Sequence, residues 1–315
     1  MRSDHGVNRR CDVLGFTDGL ASPRTRCPCA LHGRRRFGVA LLTVAALPGA
    51  VLAQTIPECQ RSTFTKMVSA QQVEQAAGQQ YRQMLQQASS QRALGPKDHP
   101  QVVRLRYIAQ RIIPYTEECN PAAKNWQWEV NLLGSQELNA FCMPGGKIAF
   151  YYGILAKLQL DDDEVAAIMG HEISHALLEH AREQMGKNTA TQLGIGIGAA
   201  LLGLGSAGRA VGDVTGQLLS LTYSRDDESQ ADRLGMIMAA KAGYNPRAGV
   251  ALWKKMMSAS KGAPPQILST HPSSEARIRD IEALLPRVEP IYDAAQKPAQ
   301  RFGPPAPKAA SSAGG

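Results

Sequence analysis

The stretch Gly170-His171-Glu172-Ile173-Ser174-His175, set among apolar residues, constrains this chain more than any other. In a helix, positions four apart lie on one face, so His171 and His175 aim their imidazoles at one point. Two neutral imidazoles so placed supply half of a tetrahedral zinc site. Glu172 stands at the edge of the same face, where a carboxylate can take a proton from an activated water without binding the metal itself. The plain alternative is a core helix that carries two histidines. The surrounding sequence has to decide.

Asp161-Asp162-Asp163-Glu164 suits a helix N-terminus, where carboxylates cap free N–H groups and offset the helix dipole. Val165, Ile168, Met169, Ile173, Ala176 and Leu177 then recur at helical spacing, which predicts a buried helix from about Asp161 to Gly186. Upstream, residues 62–94 read as one or two helices, and Val102 to Ile113 as another that Pro114 stops. Trp126 to Leu132 alternates as a half-buried strand, and Pro144-Gly145-Gly146 turns one strand, Asn139 to Met143, into a second, Lys147 to Tyr151. A short helix, Tyr152 to Leu158, follows. Downstream, helices are expected from Val214 to Ala242, from Pro246 to about Met257, and after Pro272. The sum is an α+β fold, predominantly α-helical.

The formal charge of +8 suggests an anionic partner, but its location argues otherwise. Residues 1–53 hold eight Arg against three Asp, a net of +5, which leaves only +3 for the rest. Arg34-Arg35-Arg36, the apolar run from Phe37 to Leu52 and the small residues around Ala53 read as a secretory signal with an over-long start. No nucleic-acid partner is therefore expected, and the location expected is periplasmic. The domain plan is a signal peptide over 1–53, one catalytic domain over 54–297 and a disordered tail over 298–315. The 21 uncharged residues from Asn188 to Gly208 have the length of a membrane span. A crossing there would part the two halves of the site, so the run reads as a glycine-rich flap in peripheral contact with lipid.

A zinc site needs a third protein ligand. A histidine six residues after His175 would supply it in one protease pattern, but that position is Ala181. His180 lies about half a turn round from His171 and should face the surface. Glu228, in Glu228-Ser229-Gln230-Ala231-Asp232, is the better candidate. Glu228 and Asp232 share a helical face, so one can reach the metal while the other accepts an N–H bond from a ligand histidine.

Together the HExxH and ExxxD stretches resemble those of the gluzincin peptidases of family M forty-eight, of the HtpX and Oma type. Asn139-Ala140-Phe141-Cys142-Met143-Pro144-Gly145-Gly146 is similar to that family's substrate strand, and Thr270-His271-Pro272 to its late His-Pro. The resemblance spans about Gln101 to Pro286 and looks like a short, secreted form. It implies a zincin-like active-site helix packed beside a small β-sheet. It further implies one Zn2+ held by His171, His175 and Glu228, Asp232 behind them, Glu172 as general base and His271 close to the reacting centre. A neutral His271 could plug the fourth metal position, whereas a protonated one could donate to an oxyanion. Asn139, Ala140 and Phe141 would hold an extended peptide, so unfolded or misfolded envelope proteins are the expected partners. A chaperone-like client-binding protein with a closed zinc site is the alternative. Because Cys142 sits in the strand motif, Cys59–Cys119 is the pairing favoured for any disulfide.

Overall fold

The computed structural model describes residues 59–201, 218, 221–259, 266–272 and 274–306; the expected signal segment lies outside them. As the sequence suggests, the described fold is predominantly α-helical with one small mixed sheet. The sheet has the order β1-β3-β2, from β1 (Glu129–Leu133), β2 (Ala140–Met143) and β3 (Lys147–Tyr151). β1 runs parallel to β3 and β2 antiparallel, joined to β3 by the Pro144-Gly145-Gly146 turn. Gly145 and Gly146 both take positive φ (81° and 78°), and a Cβ on Gly146 would stand 2.7 Å from the Trp128 ring.

Strand residues alternate between two apolar layers, as the period of two requires. Val130, Leu132, Ala140, Cys142, Ile148 and Phe150 face the main core, which is shared with helices α2 (Pro100–Ile112) and α4 (Asp162–Leu177). Leu133, Phe141, Met143 and Ala149 face a smaller core built on Val73, Ala77 and Tyr81 of α1 (Ala70–Ser90). The Tyr81 hydroxyl anchors that layer by donating to the Ile148 carbonyl at 2.6 Å. β2 is one of the two outer strands and lies against α4. The favoured Cys59–Cys119 disulfide is present, and Cys142 is a buried free thiol.

After α3 (Tyr152–Lys157), every carboxylate at the start of α4 has a partner. Asp161 and Glu164 form a capping box, at 2.8 and 2.9 Å. Asp162 meets the buried Arg104 at 2.6 Å, and Asp163 accepts from the Asn245 N–H at 2.8 Å. The helix is thereby fixed at its entry. Halfway along, Gly170 touches Gly235 of α6 (Arg225–Lys241): a Cβ on Gly170 would stand 2.6 Å from the Gly235 carbonyl oxygen. Two glycines let the helix backbones meet beside His171. The remaining helices, α7 (Arg247–Ala259), α8 (Gln266–Thr270) and α9 (Glu275–Ala294), pack around this pair.

Three expectations are corrected. The active-site helix does not run on to Gly186 but ends at Leu177; Glu179 takes φ 60° and α5 (His180–Leu201) starts in a new direction. Arg182 at 2.6 Å and Arg61 at 3.4 Å hold Glu179 in that left-handed conformation. The expected flap is helical as far as Leu201, and the rest, to Gly208, lies outside the described residues; among the described residues no helix is long and apolar enough to cross a membrane. Of the helix expected from Val214, residues 214–217, 219 and 220 lie outside the described residues, 221–224 are not helical, and the described helix starts at Arg225 under a capping box of Ser224 and Asp227. Of the expected tail, 307–315 lies outside the described residues, and in 298–306 Arg301 meets Asp163 at 2.8 Å and the Phe302 N–H donates to Asp162 at 2.7 Å. The acidic start of α4 supplies the acceptors that the tail's own composition cannot.

Candidate metal centre

Because α4 and α6 cross at their glycines, the imidazoles of His171 and His175 face the first turns of α6. His171 Nε2 and His175 Nε2 are 3.1 Å apart. Glu228 stands 3.5 Å from His171 Nε2 through Oε2 and 3.4 Å from His175 Nε2 through Oε1. His271, carried in by α8, brings Nδ1 to 2.9 Å from Glu228 Oε1 and 3.3 Å from His171 Nε2. All four residues are buried, and their donor atoms lie within 4.8 Å of one another. A tetrahedral zinc site with bonds of about 2.0–2.1 Å has donor–donor edges of about 3.3 Å. The nitrogen–nitrogen distances of 3.1 and 3.3 Å are near that length, and the donor set of three imidazoles and one carboxylate suits zinc chemically.

Protons are arranged to match. Asp232 Oδ1 lies 2.9 Å from His171 Nδ1, so the proton of a neutral His171 belongs on Nδ1 and its lone pair points inward from Nε2. Burial works to lower the pKa of His171, yet the adjacent Asp232 and Glu228 carboxylates raise it to about 9. Burial likewise opposes ionisation of Glu228, but His271, His171 and His175 hold its carboxyl far below the usual range. His175 is pushed well down by burial. The four converging residues could hold a metal ion.

Glu172 lies beside this cluster and outside it. Its carboxylate is buried, Oε1 has no hydrogen-bond partner, and the nearest ionic neighbour is His271 Nε2 at 3.7 Å. Burial raises its pKa, against the lowering influence of His271 and His171. Glu172 and His271 also line a cleft with Asn139, Ala140 and Phe141, bordered by Tyr223. All the residues singled out from the sequence thus converge on one place.

Three further residues emerge only in three dimensions. Arg277, in the first turn of α9, grips Asp232 at 2.6 and 2.7 Å, touches Glu228, and lies 3.6 Å over the Trp253 ring. It balances two carboxylates that burial would otherwise make costly. The one sequence signal was that buried pair's need for a cation. Tyr223 stacks on His175 with ring centroids 4.1 Å apart. His180, expected at the surface, is buried with Nδ1 2.9 Å from His175 Nδ1, because the break at Glu179 turns α5 back towards α4. Burial lowers its pKa to about 4.

A histidine–carboxylate cluster of this kind, on two crossing helices beside a sheet edge, defines a metallopeptidase fold. The chain belongs to Peptidase family M48, which its residues 103–285 match. It is 31% identical over 204 residues to the mitochondrial metalloendopeptidase OMA1 of Schizosaccharomyces pombe, covering 62% of this chain and 56% of that protein. It is 35% identical over 150 residues to the OMA1 of Arabidopsis thaliana, covering 48% of this chain and 30% of that protein. The Beta-barrel assembly-enhancing protease of Escherichia coli (strain K12) is 27% identical over 170 residues, covering 51% of this chain and 35% of that protein. The chain thus spans about half or less of the length of these relatives.

Proposed function

We propose that this chain is a zinc-dependent endopeptidase of the bacterial cell envelope that cleaves unfolded or misassembled proteins. The observation that carries the reading is the convergence of four buried donors within 4.8 Å of one another, next to a Glu172 carboxylate whose Oε1 accepts no hydrogen bond. His171, His175 and Glu228 would hold one ion per chain, with Asp232 orienting His171. Zinc supplies Lewis acidity, which makes water nucleophilic near neutral pH and polarises a peptide carbonyl. Glu172 takes the proton of the attacking water and returns it to the leaving amine; its raised pKa suits it to hold that proton between the two steps. An extended peptide can add itself to the outer strand β2 along Asn139, Ala140 and Phe141, a mode that selects unfolded chains.

Export to the periplasm through residues 1–53 is part of this reading, and the Cys59–Cys119 disulfide supports an oxidising compartment. The OMA1 and assembly-enhancing relatives support protein substrates in quality control. Peripheral lipid contact through 188–208 belongs to the same proposal. Purified protein should degrade casein, lose that activity to a chelator and regain it with one equivalent of zinc. Zinc-loaded protein that binds unfolded casein without cutting it would overturn the proposal.

That second outcome has one observation in its favour: His271 fills the fourth corner of the cluster. We read His271 as a plug that substrate displaces, because a protease for unfolded chains needs restraint among newly exported ones. His271→Ala should therefore raise the rate on unfolded substrate several-fold in a steady-state assay. A fall of about tenfold or more would make the residue an oxyanion donor instead.

A further inference from the structure

His180 opens α5 with its ring buried against His175, Nδ1 to Nδ1 at 2.9 Å. On its far side Nε2 has no hydrogen-bond partner. Glu183, Asp227 and one ring nitrogen of His180 form a second group whose donor atoms lie within 4.8 Å of one another. That group can take either a second cation or the proton of His180 itself.

Counting protons decides, given that His175 is a zinc ligand through Nε2 as proposed above. That nitrogen must present a lone pair, so the proton of the neutral ring sits on Nδ1. The only described partner within reach of this N–H is His180 Nδ1, which must then be the acceptor. A neutral His180 accepting at Nδ1 carries its own proton on Nε2, and an N–H cannot ligate a cation. A cation at Nε2 would need the opposite arrangement, with His180 donating from Nδ1. His175 would then be protonated on Nε2 and lost to the first site. The two carboxylates are also engaged already: Asp227 accepts from the Ser224 N–H at 2.8 Å and Glu183 meets Lys187 at 2.7 Å.

We propose that His180 is a positioning residue of the metal centre. It fixes His175 in the tautomer that binds metal, and the same bond bars a second ion from His180, Glu183 and Asp227. The test is zinc affinity and stoichiometry of the full chain, by competition with a chromogenic chelator, for wild type, His180→Ala and His180→Asn. Partners behind a ligand typically contribute ten- to a hundredfold to metal affinity. His180→Ala should weaken zinc binding within about that range while keeping one equivalent. His180→Asn, whose amide oxygen can accept the His175 N–H, should recover most of the loss. A merely structural role would make both variants lose affinity in step with the melting temperature of the metal-free protein.

Tautomers can be read directly in the zinc-loaded wild type by long-range nitrogen–proton correlation. His175 should be protonated on Nδ1 and His180 on Nε2, a result that needs no variant to fold. Unchanged affinity in His180→Ala, a second tight equivalent in the wild type, or the reversed tautomers would overturn the inference alone. Wild type that takes up no zinc would overturn the zinc reading and this one with it.

Discussion

Glu172→Gln should lower peptide hydrolysis at least about a hundredfold, close to 3 kcal/mol in the barrier, while zinc stays near one per chain. The substitution keeps the shape and removes the group that accepts the proton. Glu172 is not among the four residues whose donor atoms converge, so the metal should not leave with it. Nor should stability fall far, because Oε1 makes no hydrogen bond that an amide would break. Initial rates on a fluorogenic unfolded substrate, paired with metal analysis of the same sample, separate the two effects. More than about a tenth of wild-type activity would refute the general-base role, since such catalysis is worth a hundredfold or more.

The centre was legible in the sequence wherever its geometry is local. His171 and His175 share a face of one helix, and Glu228 and Asp232 a face of another, so spacing alone pairs them. The interruption by Gly170 looks like a flaw until Gly235 is seen to meet it; a close helix crossing needs both. What stayed hidden is set by contacts between distant segments. Leu178 and Glu179 are ordinary helix residues, and nothing near them signals a break. The left-handed turn at Glu179 rests on Arg61 and Arg182, the first of them 118 positions away. That turn moves His180 from the surface to the back of His175. Arg277 was likewise invisible, since its partners belong to another helix. The tail's Pro- and Ala-rich composition reads as disorder and gives no sign that Asp162 and Asp163 accept from Phe302 and Arg301.

Glu228→Ala is expected to do more damage than any outer substitution, because Glu228 meets all three histidines of the cluster and Arg277. It meets His271 at 2.9 Å, His175 at 3.4 Å and His171 at 3.5 Å, and it touches Arg277. Removing it takes away the only carboxylate among the converging donors. Zinc affinity should fall by more than the ten- to hundredfold typical of a partner behind a ligand, and activity should vanish with the metal. The metal-free protein should suffer too. Arg277 would keep Asp232 but lose its contact with Glu228, and a hydrogen bond to a charged group contributes about 1.5–3 kcal/mol. Glu228→Gln isolates the first effect from the second, since it keeps the volume and a carbonyl oxygen facing His271. Chelator competition reads the metal, and denaturant unfolding of the metal-free protein reads the fold. If Glu228→Ala kept zinc while His180→Ala released it completely, the third ligand would lie on α5 and not on α6.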